Sequence, residues 1–234
     1  MAIKSMKVRT LNILKRLIFF QVVIFLLSGC SLFGIGGKKP DKSPEELMNQ
    51  GMSEFEDGDY TYAVEAFQKL KDRYPYSKLA IQAELKMADA LFKKKEFEEA
   101  LEAYIEFEKL HPKNKSIPYV IYQQGMCNFL RISTIDRDQT NTKNALKEFK
   151  RLRKEFPENQ FSLLAQRNIR KCYSTLAEYE FYVGYFYFKS GYYMAALKRF
   201  EYLITNYPDL GQHGKALIYI ARCREKLAEE KSLL

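Results

Sequence analysis

The residues of this 234-residue chain that could do chemistry are four cysteines, two histidines and scattered carboxylate pairs, and their spacing assembles no reaction centre. His111 stands before Pro112, in a slot that Tyr74, Phe156 and Tyr207 fill before three other prolines, so packing accounts for it. His213 falls in a turn, and no HExxH, CxxC or DxDxDG pattern is present to hold a metal. No G-x-S-x-G nucleophile turn occurs. Carboxylate neighbours such as Glu98 and Glu99 lie on polar helix faces, where solvation is their ordinary role. The glycines and lysines of residues 31 to 44 (SLFGIGGKKPDKSP) lack the G-x-x-x-x-G-K-[ST] spacing that cradles a phosphate. In an oxidising compartment Cys127, Cys172 and Cys223 leave two readings open, a pair with one odd thiol or three buried thiols on separate helices. The expectation is a protein with no catalytic residue, no metal and no cofactor, and so not an enzyme.

The elements around these residues carry the information. Composition is 47% apolar and 29% charged, with 17 Tyr, 17 Phe, 11 Gly and 7 Pro, which excludes collagen-like, low-complexity and disulfide-scaffold classes and favours a helical globular body. The net charge of +9 includes Lys4, Lys7, Arg9, Lys15 and Arg16; without those five the balance is +4, too small to argue for nucleic acid. A basic start followed by the apolar run LIFFQVVIFLLSG, residues 17 to 29, has the layout of a signal peptide. The run of 13 residues is short against the roughly 20 that span a bilayer. LLSGC resembles a bacterial lipoprotein box. That resemblance implies cleavage after residue 29 and acylation of Cys30, with an uncleaved N-terminal anchor as the alternative. Acyl chains together hold a protein at a membrane where a single chain does not. Ser31 in place of Asp implies onward export to the outer membrane and a position on its periplasmic face. Residues 30 to 43 then form a flexible, lipidated tether.

From residue 44 to 230 the pattern Ala-x3-[Phe/Tyr]-x7-Pro recurs four times: Ala63/Phe67/Pro75, Ala100/Tyr104/Pro112, Ala145/Phe149/Pro157 and Ala196/Phe200/Pro208. A small residue stands twelve positions before the alanine in three of them (Gly51, Ala88, Gly184), and Gly125 stands twenty before it in the third. This resembles the tetratricopeptide repeat, with its 34-residue period of two antiparallel helices. Small residues let the helices approach, and proline stops the second one. The proline intervals of 37, 45 and 51 exceed that period by three, eleven and seventeen. The extra eight in the third repeat fall at residues 133 to 141, a polar loop. The extra fourteen before Gly184 equal about four helical turns and extend one helix over residues 160 to 189. The fold predicted is an all-α solenoid of about four and a half repeats (44–77, 81–114, 118–159 and 160–210) with an extended fourth-repeat helix and a cap at 212–230, where Ala221 takes the small-residue slot.

In such a solenoid the first helices line a concave surface, and the lining offsets give Met48, Met52 and Phe55; Leu85 and Phe92; Tyr122, Met126 and Phe129; then Phe181, Tyr185 and Phe188. The same residues on helical spacing also suit a core, so two roles stand open for each. If they line a groove, it is apolar and aromatic.

The segments DGDYTYAVEAFQKLKDRYPYS, IPYVIYQQGMCNFL, the DRD of residues 136 to 138, and LAEYEFYVGYFYFKSGYYMAALKRFEYLITNYPD, in this order and with these insertions, resemble the BamD family of outer-membrane β-barrel assembly lipoproteins over residues 40 to 228. The loop before the DRD is shorter than the family's, and a single helix stands where the family has a fifth repeat. The resemblance implies a periplasmic scaffold for outer-membrane protein assembly. Its expected partners are unfolded β-barrel precursors, the POTRA repeats of a BamA-like insertase, other assembly lipoproteins and, through its lipid, the membrane. It implies substrate binding in the N-terminal repeats and insertase docking in the C-terminal ones, with Tyr74 and Arg199 matching family positions tied to these roles; the lining offsets add Met48, Met52, Phe55, Leu85, Phe92, Tyr122 and Phe129 to the substrate groove and Phe181, Tyr185 and Phe188 to the docking end. Tyr74 also suits inter-repeat packing, and Arg199 a solvated helix face. The rival is another repeat lipoprotein, pilotin-like or a cell-division coordinator, against which the long helix with its LAEYE segment speaks.

Overall fold

The computed structural model of the chain describes residues 41 to 208 and 210 to 232. The signal peptide, Cys30 and nearly all of the tether lie outside the described residues. From Ser43 onward the described chain forms one compact unit of nine helices and no strand. In chain order these are α1 (Pro44–Asp57), α2 (Tyr60–Arg73), α3 (Lys78–Lys93), α4 (Phe97–Leu110), α5 (Ile117–Phe129), α6 (Thr140–Glu155), α7 (Gln160–Lys189), α8 (Tyr193–Asn206) and α9 (His213–Ser232). Each packs antiparallel on the next, which makes the body an all-α solenoid with one helix of 30 residues in its fourth pair.

Local chemistry sets the boundaries. Ser43 opens α1 with a reciprocal capping box: its hydroxyl accepts from the Glu46 N–H at 3.2 Å, and the Glu46 carboxylate accepts from the Ser43 N–H at 2.7 Å, with Pro44 at the first helical position. The second helices all end one residue before proline, at Tyr74, His111, Phe156 and Tyr207. Each of these residues donates its N–H to the carbonyl four back at 2.9 Å and then leaves the helical region, with φ between −128° and −134° and ψ between 53° and 61°, because the proline that follows disfavours helical backbone. Two residues past three of the prolines, Ser77, Asn114 and Asn159 restart the chain by accepting a backbone N–H on their side-chain oxygens. Within a pair the reversal takes a left-handed residue: Gly58 (φ 85°), Lys95 (φ 68°) and Gly191 (φ 80°). The third pair uses residues 130 to 139 instead. There Gln139, 2% exposed, donates to the carbonyls of Thr134 and Arg137, so a buried amide holds the polar loop.

The small residues of the first helices are required by the aromatics of the second. A Cβ built on Gly51 would stand 2.4 Å from the Phe67 ring, one on Gly125 2.5 Å from Phe149, and one on Gly184 2.8 Å from Phe200. The aromatic therefore fills the seam inside its own pair. The cap departs from the pattern. Ala221 is exposed, and Tyr219 lies stacked on Phe200 at 5.4 Å while Ala216, Ile220 and Cys223 are buried.

The apolar interior falls into three clusters, one under α1 to α3, one under α3 to α7 and one under α7 to α9; the division inside α7 comes between Cys172 and Leu176. Cys127, Cys172 and Cys223 are buried, unpaired thiols on α5, α7 and α9. Burial pushes the first two up to about 12. No helix among the described residues is long and apolar enough to cross a membrane.

Candidate functional site

Direct contacts between first helices join α1 to α3, α5 to α7 and α7 to α9. Between α3 and α5 lies a cleft of about 670 Å³. The i, i+3/i+4 spacing of α3 turns Lys78, Ile81, Gln82, Leu85 and Asp89 to this cleft, and α5 supplies Tyr119 beside Lys115 and Ser116 of the preceding turn. At its floor the Tyr104 and Tyr119 hydroxyls each donate to Asp89 Oδ1 at 2.7 Å, and Lys86 approaches Oδ2 at 3.5 Å. Burial first, and the Asp89 charge second, raise both tyrosine pKa values, so the phenols stay protonated donors. The cleft thus has an apolar strip at Ile81 and Leu85 and a rim of lysines.

The eight residues expected to bind substrate do not form one exposed row. Met48 is 6% exposed and belongs to the α1–α3 core, so it presents no binding surface; its position one turn before Gly51 faces it inward. Met52, Phe55 and Tyr74 are half-buried against the same core, with Phe55 edge-on to Tyr60 at 5.4 Å. Phe92 meets Phe97 at 5.4 Å across the turn, and Phe129 meets Phe149 at 6.0 Å. Tyr122 lies between Phe149 and Phe161 at 5.8 and 5.6 Å. Leu85 alone of the eight lines the cleft. A wholly apolar, aromatic lining is therefore corrected to a mixed one, since Lys78, Lys86 and Lys115 share it. Helical spacing around Leu85 could have found Ile81 and Lys78; the part of Asp89 and Tyr119 needed the helix-to-helix geometry.

Of the four residues expected at the insertase, the three aromatics converge on one ring and Arg199 pairs elsewhere on α7. Phe181, Tyr185 and Phe188 surround the Tyr219 ring at 5.7, 5.5 and 5.1 Å. Beyond them Tyr182 and Phe186 on α7 are exposed, an apolar strip that the lining offsets passed over. Arg199 Nη1 donates to Glu180 Oε2 at 3.0 Å; the glutamate side chain is 11% exposed and the arginine 42%. The hydrogen bond to Glu180 raises the Arg199 pKa. The pair changes the expectation for Arg199→Ala: removal strands a buried carboxylate, so stability falls by about 1–2 kcal/mol, discounted for the open guanidinium. Glu180→Gln in the same chain should restore much of the melting temperature, and thermal melts of the three variants check this.

Residues 40–233 match the family model YfiO, described as an outer membrane lipoprotein. The chain belongs to the YfiO/BamD family. Its relatives in that family include the outer membrane protein assembly factor BamD of Rickettsia prowazekii, 31% identical over 201 residues (82% of this chain, 80% of the relative). BamD of Vibrio cholerae is 28% identical over 211 residues, covering 85% of this chain and 88% of the relative. Among solved structures, the tetratricopeptide protein TTC0263 of Thermus thermophilus is 15% identical with a TM-score of 0.45, over 80% of this chain and all of the other. Membership of the YfiO/BamD family extends over every helix of the solenoid, the α3/α5 cleft and the aromatic end of α7 included.

Proposed function

We propose that this chain is an outer-membrane protein assembly factor, a periplasmic scaffold held at the outer membrane by acyl chains on Cys30. It takes the C-terminal segment of an unfolded β-barrel precursor in the α3/α5 cleft. It docks on the POTRA repeats of a BamA-like insertase through Phe181, Tyr185, Phe188 and the exposed part of Arg199, and it acts by binding rather than by catalysis. Family membership supports the role, and the BamD relatives carry it in their names.

The observation that carries the substrate reading is the cleft itself. A barrel's targeting segment alternates apolar and polar residues and ends in a carboxylate. Ile81 and Leu85 suit the apolar side chains, and Lys78, Lys86 and Lys115 suit the carboxylate. Half-buried Met52, Phe55 and Tyr74 pack on the core under α1 to α3, and Phe92, Tyr122 and Phe129 on the core that follows it; their part in binding rests on family resemblance.

The test uses a fluorescent peptide copying a barrel C-terminus. Ile81→Glu with Lys115→Glu, both on exposed side chains, should weaken binding about tenfold or more while melting stays unchanged, and amidating the peptide's terminus should weaken it in wild type. Equal affinity for all three pairings would refute the cleft. For the anchor, the intact mass of membrane-extracted protein should show a chain starting at Cys30 with added acyl mass, and Cys30→Ala should remove both features. A wild-type mass that includes residues 1 to 29 would overturn it.

A further inference from the structure

A second groove runs on the other layer of the solenoid, between α6 and α8 over the middle of α7. It consists of two adjoining hollows of about 600 and 510 Å³ that share Lys150, Tyr173, Asn206 and Tyr207. The α6 wall is cationic by helical spacing: Lys143, Lys147, Lys150 and Arg153 recur every three or four residues on one face. Arg170 adds a charge from α7. Partly buried Leu146 supplies apolar surface between the cations, over the buried Ile169 and Leu176 of the core. Opposite stand the rings of Tyr173, Tyr207 and Tyr202, the first two 6.0 Å apart and the last two 6.2 Å.

Among the described residues these charges lie largely uncompensated. Among the described residues no carboxylate lines either hollow, and no ion pair involves Lys147, Lys150, Arg153 or Arg170. The acid of α6 nearest this wall, Glu148, is taken by Arg151 at 2.7 Å. Asp138, in the loop before α6, feels the Lys143 charge, so the groove's end is its least basic part. Lys150 Nζ sits 5.0 Å over the Tyr173 ring, a contact that draws its charge toward the tyrosine side of the groove.

The geometry points to an extended acidic peptide as occupant of this groove, supplied by a protein partner and carrying carboxylates that alternate with apolar or aromatic side chains. Residues 143 to 153 advance about 15 Å along α6, the length of about four or five extended residues. Cations alternate with apolar floor along that length. A lipid headgroup would use the charges and leave Leu146 and the tyrosines without a role. The site is separate from the α3/α5 cleft and does not depend on what that cleft binds.

The test is fluorescence anisotropy with the full chain in detergent. The probe is a labelled peptide of alternating Glu and Tyr, its control the same peptide with Gln for Glu. The Glu peptide should bind, and both added salt and the Lys147→Gln/Lys150→Gln/Arg170→Gln variant should weaken it about tenfold. All three side chains are exposed, so the variant should melt as wild type does. Ile81→Glu/Lys115→Glu should bind the probe normally; loss of binding there would place the probe in the cleft and overturn this groove while leaving the cleft reading intact. Equal affinity for the Gln control, or no effect of the triple variant, would also overturn it. Saturation by short-chain phosphatidylglycerol without peptide binding would replace the peptide with a headgroup.

Discussion

Gly125→Val is expected to destabilise the solenoid by about 3 kcal/mol, at the upper end of what overpacking costs. The position has no room: even a Cβ would stand 2.5 Å from the Phe149 ring, and Phe149 is itself fully buried, with Tyr122 and Phe129 against it. Valine adds two further methyl groups there. A helix-interior glycine ordinarily costs about 1 kcal/mol against alanine, so the gain in propensity offsets only part of the clash. Urea unfolding followed by circular dichroism measures the loss. Gly214→Ala is the control, since nothing lies within 4 Å of the Cβ it would add. Shrinking the ring with Phe149→Leu should recover part of the stability lost in Gly125→Val; if the two losses simply add, the ring contact is not the cause.

A second large effect is expected at Arg151, which ties three helices. Its guanidinium donates to both Glu108 oxygens, at 2.6 and 3.0 Å, to Gln124 Oε1 at 3.0 Å and to Glu148 Oε2 at 2.7 Å. Gln124 in turn donates to Glu108 at 2.8 Å, which closes the network over α4, α5 and α6. Arg151→Leu leaves two carboxylates facing one another without a cation, at a cost of about 3 kcal/mol at neutral pH. The loss carries a pH signature. The Arg151 hydrogen bonds hold the Glu108 carboxyl below its ordinary value, against burial, which raises it. A depressed folded pKa adds stability that is fully present above the unfolded value of about 4.3 and disappears as pH falls through the folded value. The gap in melting temperature between wild type and Arg151→Leu should therefore be wide at neutral pH and narrow below about pH 4. A gap independent of pH would show that packing of the arginine stem carries the effect.

The architecture was legible because it rests on residues whose properties are intrinsic. Past the first turn proline stops a helix, and the four prolines before the restarts at Ser77, Asn114, Asn159 and the α9 turn mark the ends of α2, α4, α6 and α8. The fourteen added residues kept the apolar face of α7 in phase, so a count of residues was enough to extend it. The candidate site was less legible. Lining offsets say which way a side chain leaves its helix but not whether the neighbouring helix covers it. Met48 is covered, Leu85 is open, and Phe92 and Phe129 are taken by aromatics of the adjoining turn or helix. Glu180 carries no mark in the sequence that it pairs with Arg199, because the two meet across α7 and α8 at 3.0 Å, nineteen positions apart. Lys95 likewise sits at φ 68° where the first and fourth pairs have glycine, a demand of the turn that its residue type hides.

The 30 residues of α7 give it a length of about 45 Å, and its two halves are embedded in different apolar clusters. An ordinary solenoid passes strain from repeat to repeat through short helices and flexible turns, so that a disturbance fades along the stack. Here one unbroken rod is gripped at both ends. Tyr185 and Phe186 near one end, and Phe161 packed on Tyr119 at the other, thus stand on a single rod. The molecule has one unbroken rod across a span where its other repeats have a turn.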